Sequence, residues 1–429
     1  MSKPPITLPF LADLESRDLL RQKTAEASEP DFSKSPALYV GFDPSAISLH
    51  AGSLIPLTAM DRWRRRGGQI IVLLGGATGL VGDPSGKDQE RAMESQEVVA
   101  ERIEAIGRQI SAFFARTEGR EPITVNNADW YRGMDVLRFL RDVGKNFSVN
   151  QMLARDSVRS RIDNRDQGIS FTEFSYQLLQ AYDFLHLNRT YQCRWQMGAS
   201  DQWGNIVSGT DLIRRVTGSG AHGVTLPLLT NSEGKKYGKS EKGAIWLDPN
   251  LTSPYDFYQF WLNSSDSDVG RFLAWLTDLE AHDIADLLAG DLSARAAQRQ
   301  LAFTLTSRLH GAQAAELARA SSEVMFSGKY HLLSESVAEM LEAAVGRVEV
   351  TDAAVTFPEL LVDAGAAKSK AEARRLIEQR AVFLNGVPVT DPAAATQALS
   401  AVGLGILSVG KHRRFVVRKR NKERSASTA

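Results

Sequence analysis

The stretch from Ala37 to Thr78 does most to limit the fold. ALYVGF (37–42) is a short apolar run, and LIPLTAMDRWRRR (54–66) carries apolar residues at helical spacing before Gly67-Gly68. QIIVLLGGAT (69–78) is a second apolar run, dense in β-branched residues. Strand, helix and apolar strand within about 40 residues predict a βαβ unit with a right-handed connection. SQEVVAERIEAIGRQISAFFA (95–115) then predicts a long helix, and PITVNN (122–127) another strand. This alternation predicts an α/β fold, a Rossmann-like doubly wound parallel sheet over 37–250. LPFLADLESRDLLRQ (8–22) reads as a helix, so 1–36 is expected to be an N-terminal helical arm.

Beyond Leu251 the runs DFYQFWLN, VGRFLAWL and HDIADLLAG carry few strand signals, and an all-helical domain is expected over 251–345. EVTDAAVTFPELL (349–361) is expected to hold a linker. A small α+β domain is expected over 355–424, with a disordered tail at 425–429. A chain of 429 residues is long enough for several such domains. Its 51 basic and 51 acidic residues balance, so overall charge does not advertise a polyanion partner. The distribution is uneven. From Thr351 onward there are 13 Lys and Arg against 7 Asp and Glu, a surplus of +6 that leaves −6 for the rest. That pattern fits either a polyanion partner or a solvated surface.

The lone cysteine, Cys193, excludes a disulfide within the chain and fits a reducing compartment. No apolar run approaches the roughly 20 residues of a membrane span. The first residues, MSKPPITLPFLADLESRDLL, look neither secretory nor like a transit peptide. The expectation is an intracellular, cytoplasmic protein with no membrane partner.

GFDPSAISLHAGS (41–53) lies where the first strand hands over to a helix. Ligands of open α/β sheets bind beyond the carboxyl ends of strands. Gly41 permits close approach to the backbone, Gly52 keeps a helix N-terminus uncluttered for phosphate, and His50 can donate to a phosphate oxygen. Read alone, a histidine near an apolar turn is more often structural. TNSEGKKYGKSEKGAIWLDP (230–249) holds Lys236 and Lys239, spaced to converge on a polyphosphate from a Gly-rich loop at 231–245. Read alone, that loop is also compatible with an exposed charged turn.

Together the two stretches resemble the paired signatures of class I aminoacyl-tRNA synthetases, here His50-Ala51-Gly52-Ser53 and Lys236-Tyr237-Gly238-Lys239-Ser240. LYVGFDPSAISLHAG, GGATGLVGDPSGK, ISFTEFSYQLLQAYDFLHL, ASDQWGN and KKYGKSEKGAIWLDP follow in order, and this set resembles the bacterial-type tyrosyl-tRNA synthetases, the form also found in organelles. The resemblance implies a tyrosine–tRNA ligase that joins tyrosine to ATP, with Mg²⁺ on the phosphates and no permanent cofactor or metal site, then passes tyrosine to the 3′-terminal ribose of tRNA(Tyr). Such chemistry rests on positioning and charge stabilisation, which accords with the absence of a visible nucleophilic triad.

By resemblance, Ser45 and His50 contact the terminal phosphate of ATP, while Lys87, Arg91, Lys236, Lys239 and Ser240 close over the pyrophosphate. Gly41, Asp43, Gly52 and Asp201 are implied on the nucleotide. Tyr39 would donate to, and Asp183 accept from, the substrate's phenolic hydroxyl. Tyr176, Gln180 and Asp83 would surround its ammonium group, with Gln202 near its carboxylate. Tyr176, Gln180 and Asp183 are spaced i, i+4, i+7, which puts them on one helix face. Polar groups on such a face are costly when buried without partners. The sequence departs from the pattern at Ser53, where a second histidine is usual, and at Val40, where many relatives have cysteine. Both departures bear on nucleotide affinity.

FPELLVDAGAAKSKAEARRLIEQRAVFLNGVPVTDP (357–392) resembles the small RNA-binding domain named after a ribosomal protein. It implies RNA contacts from Lys368, Lys370, Arg374 and Arg375, with Lys411, Arg413 and Arg414 added by KHRRFVVRKRNKER. The region of about 130–170 is implied to build a homodimer interface, though Phe139, Phe147 and Phe171 equally suit an ordinary core. Two further readings stay open: an RNA-binding relative without catalysis, and the tryptophan-specific sister enzyme. The Tyr39–Asp183 pair favours a phenol over an indole.

Overall fold

The computed structural model describes residues 8–85, 94–155, 158–159, 162, 168–240, 243–290, 295–350, 355–392, 399, 403–410 and 413–419. Two units share the chain, one from residues 1–248 and 264–297, the other from 249–263 and 298–429.

The first unit holds a six-stranded sheet of β1 (Gln22–Lys23), β2 (Ala37–Phe42), β3 (Gln69–Leu74), β4 (Ile123–Asn126), β5 (Trp195–Ala199) and β6 (His222–Leu226). Their spatial order is β1-β6-β5-β2-β3-β4, and every pairing is parallel except β1 with β6. The order reverses between β2 and β5, so a crevice lies beyond their carboxyl ends. β2 and β3 are nearly continuous apolar runs because a central parallel strand is covered on both faces.

The helices used below are α1 (Phe10–Ser16), α2 (Leu54–Arg65), α3 (Thr78–Val81), α4 (Gln96–Phe114), α5 (Phe171–Tyr191) and α6 (Trp203–Thr217). Tyr39, Ile71 and Leu73 pack with Ala181, Phe184 and Leu185 of α5 and Leu212 and Ile213 of α6. The alternate residues Leu38, Val40, Ile70 and Val72 point to the other face, where α2 lies against β2 and β3. The doubly wound α/β class is as expected.

Two features of the first unit differ from the expectations. The arm is not wholly helical: α1 ends at Ser16, Asp18 turns through a left-handed φ of 56°, and Gln22–Lys23 joins the sheet edge. The helical run over 251–345 is also divided between units. Helices Asp266–Leu276 and Ala281–Ala289 belong with the sheet. The Arg17 guanidinium donates to the carbonyls of Ala274 (3.1 Å) and Leu279 (2.9 Å), and Arg62 donates to that of Thr277 (2.5 Å). Half-buried Arg17 and buried Arg62 thus satisfy carbonyls at and just beyond the end of Asp266–Leu276.

The second unit contains α7 (Ala312–Phe326), α8 (Glu335–Val345), β7 (Arg347–Val350), α9 (Phe357–Asp363), α10 (Lys370–Glu378), β8 (Val382–Leu384), β9 (Val387–Pro388), β10 (Leu404–Val409) and β11 (Arg413–Lys419). The sheet order is β9-β8-β10-β11-β7, with β7 parallel to β11 and the rest antiparallel. β8 and β9 turn through Asn385 (φ 49°) and Gly386 (φ 76°), the two left-handed residues a tight hairpin requires. β7 overlaps the expected linker: Val348 and Val350 alternate inward, in a strand too short to register in the sequence. Val417 packs with α9 and α10, and Val416 with α7 and α8, so this sheet carries helices on both faces. Lys87, Arg91, Lys411 and the 425–429 tail lie outside the described residues.

Candidate active site

A cavity of about 260 Å³ opens beyond the carboxyl ends of β2 and β5. Tyr39 and Gly41 reach it from β2, Asp43 from just past its end, and His50 and Gly52 from the turn before α2. Tyr176, Gln180 and Asp183 reach it from one face of α5, and Asp83, Asp201 and Gln202 complete the expected set. Val40 and Ser53, the two departures, line it too.

Asp183 lines the cavity and is 2% exposed. Its Oδ1 accepts from Trp130 Nε1 (2.8 Å) and its Oδ2 from Asn127 Nδ2 (3.0 Å). Burial pushes the carboxyl up to about 7, although both donors favour the charged form. Trp130 is held by stacking on His186, with centroids 4.3 Å apart. The Tyr39 hydroxyl is buried with no hydrogen-bond partner among the described residues. Burial, then the Asp183 charge, raise its pKa well above the usual phenol value. A carboxylate and an unpartnered hydroxyl in one cavity are an acceptor and a donor prepared for a ligand hydroxyl.

Asn127 continues the network. It is fully buried, its Oδ1 accepts from the Ala77 amide (2.7 Å), and its Nδ2 also donates to Thr78 Oγ1 (3.0 Å). The Thr78 hydroxyl donates to Asp43 Oδ1 (2.8 Å), and Tyr176 donates to Asp43 Oδ2 (2.7 Å). Tyr176 therefore presents lone pairs, not its proton, to a ligand cation. A Cβ on Gly75 would stand 2.0 Å from Asp43 Oδ1, so only glycine leaves room for that carboxylate. Asp83 Oδ2 accepts from Gln202 Nε2 (2.7 Å) and its Oδ1 from the Ser85 amide (3.0 Å). Burial raises the Asp201 pKa, with neighbouring Asp83 adding to it, while Gln202 and Lys236 oppose the shift.

The histidine turn is an N-terminal cap. His50 Nδ1 accepts from the Gly52 amide (3.0 Å), so a neutral ring carries its proton on Nε2 and acts as a donor. A Cβ on Gly52 would lie 2.8 Å from His50 Cε1 and displace the ring. The structure also joins this turn to the lysine loop. The Ala51 amide bonds Ile245 O (2.8 Å), His50 bridges Trp246, and a Cβ on Gly238 would touch that of Ala51 at 3.5 Å. Lys239 and Ser240 pair with Ala244 and Gly243 in a two-residue hairpin.

Not every expected residue reaches the cavity. Ser45 is exposed and does not line it, and its amide turns back to Asp43 O (2.8 Å). Lys236 is exposed beside the cavity and acts on Asp201 through its charge. Thr78, Asn127, Trp130 and Gln196 were missed. NADW (127–130) directly follows β4, so Asn127 and Trp130 sit at a strand's carboxyl end, where ligands of such sheets bind. On the second unit, Lys368, Lys370, Arg374, Arg375 and Arg413 are exposed and Arg414 is half-buried. Lys370 is paired with Glu359 Oε1 (2.8 Å) in an exposed ion pair.

A family model described as tRNA synthetases class I (W and Y) matches residues 33–327, the range that carries the whole cavity. The chain belongs to that synthetase family. An S4 domain model matches residues 358–394, from α9 to beyond the β8–β9 hairpin. Tyrosine–tRNA ligase 1 of Vibrio parahaemolyticus is 46% identical over 389 residues, covering 90% of this chain and 93% of the relative. Tyrosine–tRNA ligase of Anaeromyxobacter dehalogenans is 45% identical over 422 residues, covering 96% and 99%. The crystal structure of a C-terminally truncated Aspergillus nidulans mitochondrial tyrosyl-tRNA synthetase superposes with a TM-score of 0.66 at 29% identity, covering 75% of this synthetase and 95% of that chain.

Proposed function

We propose that the chain is a tyrosine–tRNA ligase that activates tyrosine with ATP and transfers it to tRNA(Tyr). One observation carries the tyrosine assignment within a family that spans two amino acids: the Tyr39 hydroxyl, buried and unpartnered, lines the same cavity as Asp183 and lies within reach of its charge. A phenol satisfies both groups, accepting from Tyr39 and donating to Asp183. An indole or a phenyl ring leaves at least one buried group unpaired.

In the first step a tyrosine carboxylate oxygen attacks the α-phosphorus. The new O–P bond forms as the bond to the β-phosphate bridging oxygen breaks, and pyrophosphate leaves with that electron pair. Tyr176, Gln180 and Asp83 hold the ammonium group, and Gln202 orients the carboxylate. Asp43, Asp201, Gly41 and Gly52 accommodate the nucleotide. His50 donates from Nε2 to a phosphate oxygen, Lys236, Lys239, Lys87 and Arg91 neutralise the departing pyrophosphate, and the Ser240 hydroxyl donates to it. Mg²⁺ enters with the nucleotide as part of the substrate. In the second step a hydroxyl of the terminal ribose attacks the carbonyl carbon and AMP leaves. The compartment is the cytoplasm, where the tRNA is charged.

Amino-acid-dependent ATP–pyrophosphate exchange tests this reading, with tyrosine, phenylalanine and tryptophan compared. Exchange with tyrosine, lost on chelation of Mg²⁺, is the expected result. Exchange with tryptophan would move the assignment to the other branch of the family, and no exchange by folded protein would refute ligase activity.

The active form is proposed to be a homodimer. Val136, Leu137, Val149 and Phe171 are 65%, 71%, 58% and 77% exposed, an apolar set in the region of about 130–170 that solvent alone does not favour. Phe171→Asp with Leu137→Asp is expected to shift sedimentation from dimer to monomer. A dimer that persists in the double variant places the interface elsewhere.

A further inference from the structure

We propose that Phe326 and Arg414 form a stacking platform for one unpaired base of the tRNA, an inference that rests on the RNA-binding reading of the second unit. Phe326 is the last residue of α7 and its side chain is 61% exposed. One exposed phenylalanine is unremarkable on any protein surface. This ring is different because the Arg414 guanidinium carbon lies 4.8 Å from its centroid. Cation and aromatic ring are held together, and the remainder of the ring is open to solvent.

The strand register explains how Arg414 gets there. Along β11 the alternate residues Arg414, Val416 and Arg418 face α7 and α8. Val416 is fully buried in that core. Arg418 is committed to carboxylates, with Nη2 2.7 Å from Glu342 Oε1 and Nη1 paired to Glu335. Arg414 comes where this face reaches solvent, and no carboxylate pairs with it among the described residues. Among the described residues the face thus ends in a cation without a paired carboxylate, resting on a ring that is largely exposed.

The chemistry of this pair selects its partner. An apolar protein surface would have to desolvate the guanidinium without replacing its hydrogen bonds. A nucleotide offers a flat π-face for the ring and a phosphate for the cation in a single residue. Bases inside an A-form helix are already stacked and out of reach, so the occupant is a base from a loop or bulge. The +6 surplus from Thr351 onward supplies the long-range attraction.

The test uses full-length protein and tRNA transcripts carrying 2-aminopurine at single loop positions. Wild-type protein is expected to quench one position on binding. Phe326→Trp should keep the quenching and the affinity. Phe326→Ala and Phe326→Leu should lose the quenching and bind about tenfold more weakly. Arg414→Ala should weaken binding and flatten the salt dependence by roughly one phosphate contact. Because Phe326 is exposed, matching thermal melts will show that each variant is folded. Wild-type affinity in Phe326→Leu, or no quenched position in a tightly bound complex, overturns the platform alone. Absence of tRNA binding by the wild-type protein overturns the RNA-binding reading with it.

Discussion

Asp183→Asn is expected to lower kcat/KM for tyrosine in pyrophosphate exchange by about 10²- to 10³-fold. The substitution keeps the shape and removes two things together. The substrate hydroxyl loses a charged acceptor. In addition, both carboxylate oxygens already accept, from Trp130 and Asn127, whereas asparagine has one oxygen and a donor. One buried N–H must then face another. Tyr39→Phe removes only a neutral donor and is expected to cost about tenfold. Activity toward phenylalanine should change little in either variant, so discrimination narrows as tyrosine activity falls. Equal losses with both amino acids would mean that Asp183 serves folding alone.

The same carboxyl predicts a pH dependence. Burial raises Asp183 to about 7 in the ligand-free protein, and accepting a phenolic proton requires the ionised form. Tyrosine affinity should therefore rise as pH increases through about 7 and level off above it, with the slope absent in Asp183→Asn. The stability effect has the opposite sense. Between about pH 4 and 7 the folded chain holds a proton that the unfolded chain has released. This contribution to stability is present at low pH and is lost as pH rises through 7. Saturating tyrosine, by favouring the ionised form, should shift the loss to lower pH. Titrations of tyrosine affinity and melting temperature against pH check both signs.

The α/β class and the strand-to-helix hand-over at Gly41–Ser53 were legible because β2, α2 and β3 are strongly periodic and adjacent. Tyr176, Gln180 and Asp183 were legible as one face because helical spacing fixes direction. What joins them was not. Asn127 meets Asp183 and Thr78 across 56 and 49 residues, and such contacts follow from sheet order, which local pattern does not encode. The contact between the histidine turn and the lysine loop is equally remote, running from Ala51 to Ile245. Short strands were also invisible: Gln22–Lys23 and Arg347–Val350 owe their conformation to the strands that they meet. The division of the helices over 251–345 is accompanied by contacts from Arg17 and Arg62 to the carbonyls of Ala274 and Thr277, more than 200 residues away, which no local pattern encodes.

Asp61→Ala is expected to lower the melting temperature of the first unit by roughly 10 °C. Asp61 sits on α2 with no exposed surface, and Arg64, one turn on, is nearly as deep. Arg64 Nε donates to Asp61 Oδ1 (3.1 Å), Thr117 Oγ1 donates to the same oxygen (2.6 Å), and Arg65 Nε lies 3.1 Å from Oδ2. Arg64 also donates to the carbonyls of Phe114 (2.6 Å) and Arg120 (3.0 Å), closing the carboxyl end of α4. Removing Asp61 leaves that guanidinium buried beside carbonyls with no anion, a situation that costs about 3–5 kcal/mol. Asp61→Asn preserves volume and one acceptor and should fall between. The double variant Asp61→Ala, Arg64→Met removes both charges and should recover much of the loss, because a buried pair contributes little net stability over apolar packing. An unchanged melting temperature in Asp61→Ala would mean that the arginine is stabilised by its carbonyls alone. A double variant no better than the single would mean that closing α4, and not charge balance, is what Arg64 contributes.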